Sequence, residues 1–168
     1  MSKEIIIYRG PLERARLKLL ISSITSRQKS KVIFVWIYPK ILDADKRKHF
    51  DEFISYFDIE NVFVYYDKGH RALNVKSQIK RYFQKNTFEI AHFIGFKSYF
   101  FSSSVSANKK VWYVNGIPEE SLLHSNSLSN RFKCYLNWAS VKSQKKPDLI
   151  ITVSKPMMDY VRKKRIYN

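Results

Sequence analysis

Six short runs of β-branched and aromatic residues, each followed by a stretch of helical period, constrain what this chain can fold into more than any other feature. The runs are Ile5–Tyr8, Val32–Ile37, Val62–Tyr66, Phe88–Ile94, Val111–Val114 and Leu149–Val153. Most are apolar at consecutive positions, as strands covered on both faces must be, rather than alternating apolar with polar. Strands that take turns with helices are joined by crossovers, and crossovers make neighbours parallel. The pattern therefore predicts a single Rossmann-like α/β domain over residues 1–168. It should be a three-layer α/β/α sandwich around a mainly parallel sheet of about six to seven strands.

The intervening segments carry the helical signal. Leu12, Ala15, Leu19, Leu20 and Ile24 are spaced for one helix, and Phe50, Phe53, Ile54 and Phe57 for another. A third, Ala72 to Lys85, gathers Ala72, Val75, Ile79, Tyr82 and Phe83 on one arc, while Arg71, Lys76, Lys80, Arg81 and Lys85 occupy the remainder with no acid among them. Leu128, Phe132, Tyr135, Leu136 and Ala139 predict a long helix ending at Lys146-Pro147. Ser154-Lys155-Pro156 reads as the cap and first turn of a short final helix. The residue types of Asn115-Gly116-Ile117-Pro118 read as a turn.

Composition narrows the class. Hydrophobic residues make up 45% of the chain and aromatics 15%, which excludes disorder for want of a core. Thirty-one Lys and Arg against 14 Asp and Glu leave a formal charge of +17, which implies an anionic neighbour: a phosphorylated substrate, an anionic membrane face or nucleic acid. The lone Cys134 allows neither an internal disulfide nor a cysteine zinc site, which fits the cytoplasm. The apolar run at the N-terminus is interrupted by Arg9 and is too short for a signal peptide. A basic nucleic-acid module is the main rival class, with a subunit-interface α/β module as a third. The nucleic-acid reading is disfavoured because the aromatics fall within buried-looking runs and no nucleic-acid-binding signature is present.

In an open parallel sheet, ligands sit at the carboxyl ends of the strands. That rule selects Arg9 and Gly10, the loop from His92 to Lys97, Asn115 and Gly116, and Ser154 and Lys155. His92, near a strand end, is the candidate base. No catalytic triad, zinc motif or phosphate-binding glycine loop occurs, so neither metal nor dinucleotide is expected.

The segment from Lys146 to Asn168, KPDLIITVSKPMMDYVRKKRIYN, resembles the end of the N-terminal domain in glycosyltransferase family 4, the group 1 transferases of GT-B fold. FEIAHFIG at 88–95 is similar to that family's fourth-strand end, and KVWYVNG at 110–116 to its next strand and turn. Ile94 and Asn115 stand where many members carry further histidines. The resemblance implies the acceptor-side half of a bacterial transferase of cell-surface polysaccharide synthesis, inactive alone. His92 would be catalytic, and Arg9, Gly10, Asn115, Gly116, Ser154 and Lys155 would line the cleft. The nucleotide-sugar donor would bind mainly a C-terminal GT-B domain beyond Asn168. The acceptor would be a sugar or lipid-linked molecule. The chain would rest peripherally on the inner face of the cell membrane through Arg71, Lys76, Lys80, Arg81 and Lys85.

Overall fold

The computed structural model describes residues 3–10, 15–26, 31–38, 43–57, 59–66, 72–116 and 127–163. Six strands run β1 (Lys3–Arg9), β2 (Lys31–Tyr38), β3 (Asn61–Tyr66), β4 (Thr87–Ile94), β5 (Ser106–Val114) and β6 (Leu149–Thr152). They form one sheet in the order β3-β2-β1-β4-β5-β6, and every neighbouring pair is parallel. The fold is the three-layer α/β/α arrangement that the alternating runs predict. Since β1 is followed on one side by β2 and on the other by β4, the chain reverses its direction of winding between β1 and β4. That is the switch point where such sheets open a crevice at the carboxyl rim.

Helices α1 (Ala15–Thr25) and α2 (Ala44–Ser55) cover one face. Leu17, Ile21 and Ile24 of α1, with Phe50 and Phe53 of α2, pack on Ile6, Tyr8, Val32, Phe34 and Trp36. The opposite face carries α3 (Ala72–Phe83), a 3-10 segment (Phe96–Ser104), α4 (Leu128–Lys142) and α5 (Lys155–Lys163). There Val75, Ile79 and Phe83 meet Ile5, Ile7, Val35 and Ile37, while Tyr99, Trp138 and Val161 share a cluster with Trp112 and Val114. Successive strand residues thus feed two separate cores, which is why the runs are apolar without alternation.

The 3-10 segment links β4 to β5 where the spacing predicts no element. It buries Phe96, Tyr99 and Ser102 along one line and Ser98, Phe101 and Ser104 along another, the three-residue repeat of this tighter helix. The small serines let its backbone lie close to the sheet. β5 begins well before the apolar run because Ser106, Ala107, Lys109 and Lys110 pair with β4 although they are polar or small. In α4, the row Leu128, Phe132, Tyr135 and Leu136 that marks the helix is turned to solvent, and the helix is held instead by Trp138 and Val141. Leu12, expected at the start of α1, and the Ile117-Pro118 end of the predicted turn lie outside the described residues.

Candidate functional site at the carboxyl rim

Two glycines flank the switch point. Gly10 follows β1 with φ of 154°, and a Cβ there would sit 2.8 Å from the Tyr8 hydroxyl. Gly95 follows β4 with φ of 87° and ψ of 159°, a conformation open essentially to glycine alone, and no atom lies within 4 Å of where its Cβ would be. Each turn is pinned by an indole from the neighbouring strand. Trp36 Nε1–H donates to the Gly10 carbonyl at 2.7 Å, and Trp112 Nε1–H to the Gly95 carbonyl at 3.2 Å. The Gly95 N–H donates to the Tyr113 carbonyl at 2.8 Å. Across the switch point, Ser98 ties the two strand ends together: its hydroxyl donates to the Ile94 carbonyl at 2.5 Å and accepts from the Arg9 N–H at 2.9 Å.

His92 does not reach this rim directly. It lies two residues below the end of β4, on the α1 and α2 face, and is 5% exposed. Its Nε2 is 2.7 Å from Glu4 Oε2 and its Nδ1 is 3.1 Å from the Tyr113 hydroxyl. A carboxylate can only accept, so Nε2 carries the proton, and in the neutral ring Nδ1 then accepts from Tyr113. Glu4 is 4% exposed and Tyr113 is 8% exposed, so the chain of contacts is buried throughout. Register gives it a direction. Glu4 is level with Ile90, His92 comes two residues later on β4, and Tyr113 is level with Ile94 at the strand's end. The network therefore climbs across three strands toward the carboxyl rim. Such an array can orient a hydroxyl and pass a proton along a fixed path.

Of the residues predicted to line the cleft, Arg9 and Gly10, Asn115 and Gly116, and Ser154 and Lys155 all stand at or just beyond the carboxyl ends of β1, β5 and β6. They share one edge of the sheet. The Ser154 hydroxyl is committed to capping α5, accepting from the Met157 N–H at 3.4 Å, so this residue shapes the rim by fixing the helix. Glu4 and Tyr113 are additions from the structure, which also singles out Gly95 within the predicted 92–97 loop. Glu4 was visible in the sequence only as an acid in register with Ile6 and Tyr8.

The basic set on α3 divides. Arg71 lies outside the described residues. Lys80, Arg81 and Lys85 are exposed, but Lys76 is half-buried. Its ammonium is 4.3 Å from the Phe100 ring centre and donates to Gln144 Oε1 at 3.2 Å. Burial pushes its pKa below the ordinary lysine range, with Lys80 adding to the effect. It is a packing contact first.

Among the described residues, no group of three or more His, Cys, Asp or Glu could hold a metal ion. No described helix is long and apolar enough to cross a membrane. Compared with protein-family models, curated proteins and solved structures, the chain matches none.

Proposed function

We propose that this chain is the acceptor-side half of a two-domain glycosyltransferase, moving a sugar from a nucleotide-sugar donor onto a glycan or lipid-linked acceptor in cell-surface polysaccharide synthesis. A second GT-B domain would hold the nucleotide of the donor. The observation that carries the reading is the rim: glycine turns at Gly10 and Gly95 flank the switch point of an all-parallel sheet, and the space above Gly95 is open. An acceptor could approach the backbone there without a Cβ in its way.

His92, buried beneath the rim, acts in this reading through Tyr113 rather than by touching the acceptor. Glu4 fixes the ring, and the Tyr113 hydroxyl links it to the level where β4 ends. The rest of the rate enhancement would come from positioning and from neutralising the departing diphosphate across the interdomain cleft.

The test is a titration of the isotope-labelled chain, following amide resonances. Oligosaccharides and polyprenyl-phosphate-linked sugars are expected to move the Gly10, Gly95, Asn115 and Gly116 amides, while nucleotide sugars leave them in place. The reading fails if nucleotide sugars move the rim and acceptors do not, or if neither set moves it.

A further inference from the structure

The outer side of α4 carries four exposed large hydrophobic residues. Leu128 is 80% exposed, Phe132 62%, Tyr135 70% and Leu136 49%. At about 100° per residue these four, with Ala139, fall on an arc of roughly 100°, separate from the arc of Trp138 and Val141 that faces the core. Arg131 and Lys142 border the row on the side toward the core, and the whole helix, LSNRFKCYLNWASVK, contains no acid. At its carboxyl end a cavity of about 150 Å³ has Tyr99, Val141 and Pro147 in its lining together with Lys142, Lys145 and Lys146. None of those three ammonium groups has a hydrogen-bond or ion-pair partner among the described residues. Lys142 belongs to both features: it flanks the apolar row and lines the cavity.

An apolar row flanked by cations on a helix without acids is what an interfacial helix presents to anionic lipid. We infer that α4 is the membrane-contact element of this protein. Its Leu128–Leu136 row enters the headgroup boundary of an anionic bilayer, and the cavity lysines at its end take lipid phosphates. Charge complementarity selects this occupant, since the molecule carries +17 overall and the helix that bears the row contains no acid. The contact thereby moves from α3 to α4. On α3 the exposed apolar residues are Leu73 and Tyr82, and nine positions apart they stand roughly 180° from each other, so no row forms. The inference does not rest on the transferase reading.

The experiment is flotation of the whole chain with vesicles of phosphatidylcholine alone or of phosphatidylcholine and phosphatidylglycerol in equal parts. Binding is expected to the mixed vesicles only. Phe132→Glu/Leu136→Glu should weaken it about a hundredfold, since each large side chain withdrawn from the apolar phase is worth about tenfold or more. Lys142→Gln/Lys146→Gln should weaken it about thirtyfold, because each cation at an anionic surface contributes about fivefold. Arg47→Gln/Lys48→Gln removes the same formal charge from α2, on the opposite face of the sheet, and should change binding by less than about threefold, beyond the reach of screened charge. Phe132, Leu136, Lys142 and Lys146 are all exposed, so circular dichroism should show unchanged folding. Equal losses from the Arg47/Lys48 and Lys142/Lys146 pairs would overturn the inference, as would a larger loss from Lys80→Gln/Arg81→Gln on α3. So would a concentration-dependent dimer that Phe132→Glu dissociates, which would make the row a contact between two copies. The assay uses neither donor nor acceptor, so it can fail while the transferase reading stands, and the reverse.

Discussion

Gly95→Ala isolates backbone strain from packing. At most glycines the two are mixed, because the new methyl group also meets neighbours. At Gly95 nothing lies within 4 Å of the added carbon, so the whole penalty comes from holding an L-residue at φ 87° and ψ 159°. That region costs about 1–3 kcal/mol for a residue other than glycine. Restricting the unfolded chain returns about 0.4–1 kcal/mol. The net expectation is a loss of about 1–2 kcal/mol. For a domain of this size each kcal/mol moves the midpoint by about 2–4 °C, so the variant should melt about 3–6 °C below the parent. Gly116→Ala is the internal control, because its Cβ site is equally empty and its φ lies outside the left-handed range. It should leave the midpoint unchanged or raise it slightly. Gly10→Ala should lose at least as much as Gly95→Ala, since its Cβ also meets the Tyr8 hydroxyl at 2.8 Å. Thermal melts by circular dichroism in one buffer decide the matter. If the Gly95 and Gly116 variants melt together, the strained conformation at the β4 end is not the source of the glycine requirement.

Glu4→Leu leaves the buried Nε2–H of His92 without its acceptor and should cost about 1–3 kcal/mol in urea unfolding. In a double-mutant cycle with His92→Phe, the two losses should fall short of additivity by about 1 kcal/mol, and strict additivity would dissolve the network. Tyr99 donates its hydroxyl to the Lys145 carbonyl at 2.6 Å, and burial, with a nearby Asp148, raises its pKa above 10 although Ser102 opposes the shift. The folded state then keeps its proton after the unfolded state has lost it, so this contribution is complete below about pH 10 and is lost as pH rises further. Tyr99→Phe should cost about 1 kcal/mol at neutral pH and flatten the alkaline fall in stability; a parallel decline in both proteins would exclude Tyr99 as its source. On α4, Trp138→Ala should cost about 3–5 kcal/mol and Phe132→Ala no more than about 0.5, and the reverse order would show that the helix faces the core by its other side.

The sheet was legible because parallel strands between two helical layers need apolar residues on both faces, and six such runs are hard to read otherwise. What escaped followed from the same rule. The opening of β5 is polar, since Ser106 and Lys109 lie where the sheet meets solvent, and apolarity could not find it. Phe96–Ser104 repeats every three residues, a period between those of strand and helix. For α4, the sequence contains two apolar arcs, and periodicity identifies a helix without deciding which arc goes inside; the arc of Trp138 and Val141 is the one that packs on the sheet. At the site, the strand-end rule found Gly10 and Asn115. The partners of His92 depend on register, which brings Glu4, 88 positions away in the chain, beside it. Neither residue type nor spacing encodes that proximity.

The two indoles that clasp Gly10 and Gly95 make the crevice optically self-reporting. Trp36 and Trp112 are two of only three tryptophans in the chain, and each spends its single N–H donor on a glycine turn at the switch point. Any event that lifts either turn releases an indole from a fixed hydrogen bond in a dry environment, so emission wavelength and quenching should follow the opening of the crevice without an attached dye. With Trp138 replaced by phenylalanine, the remaining signal would come from the crevice alone.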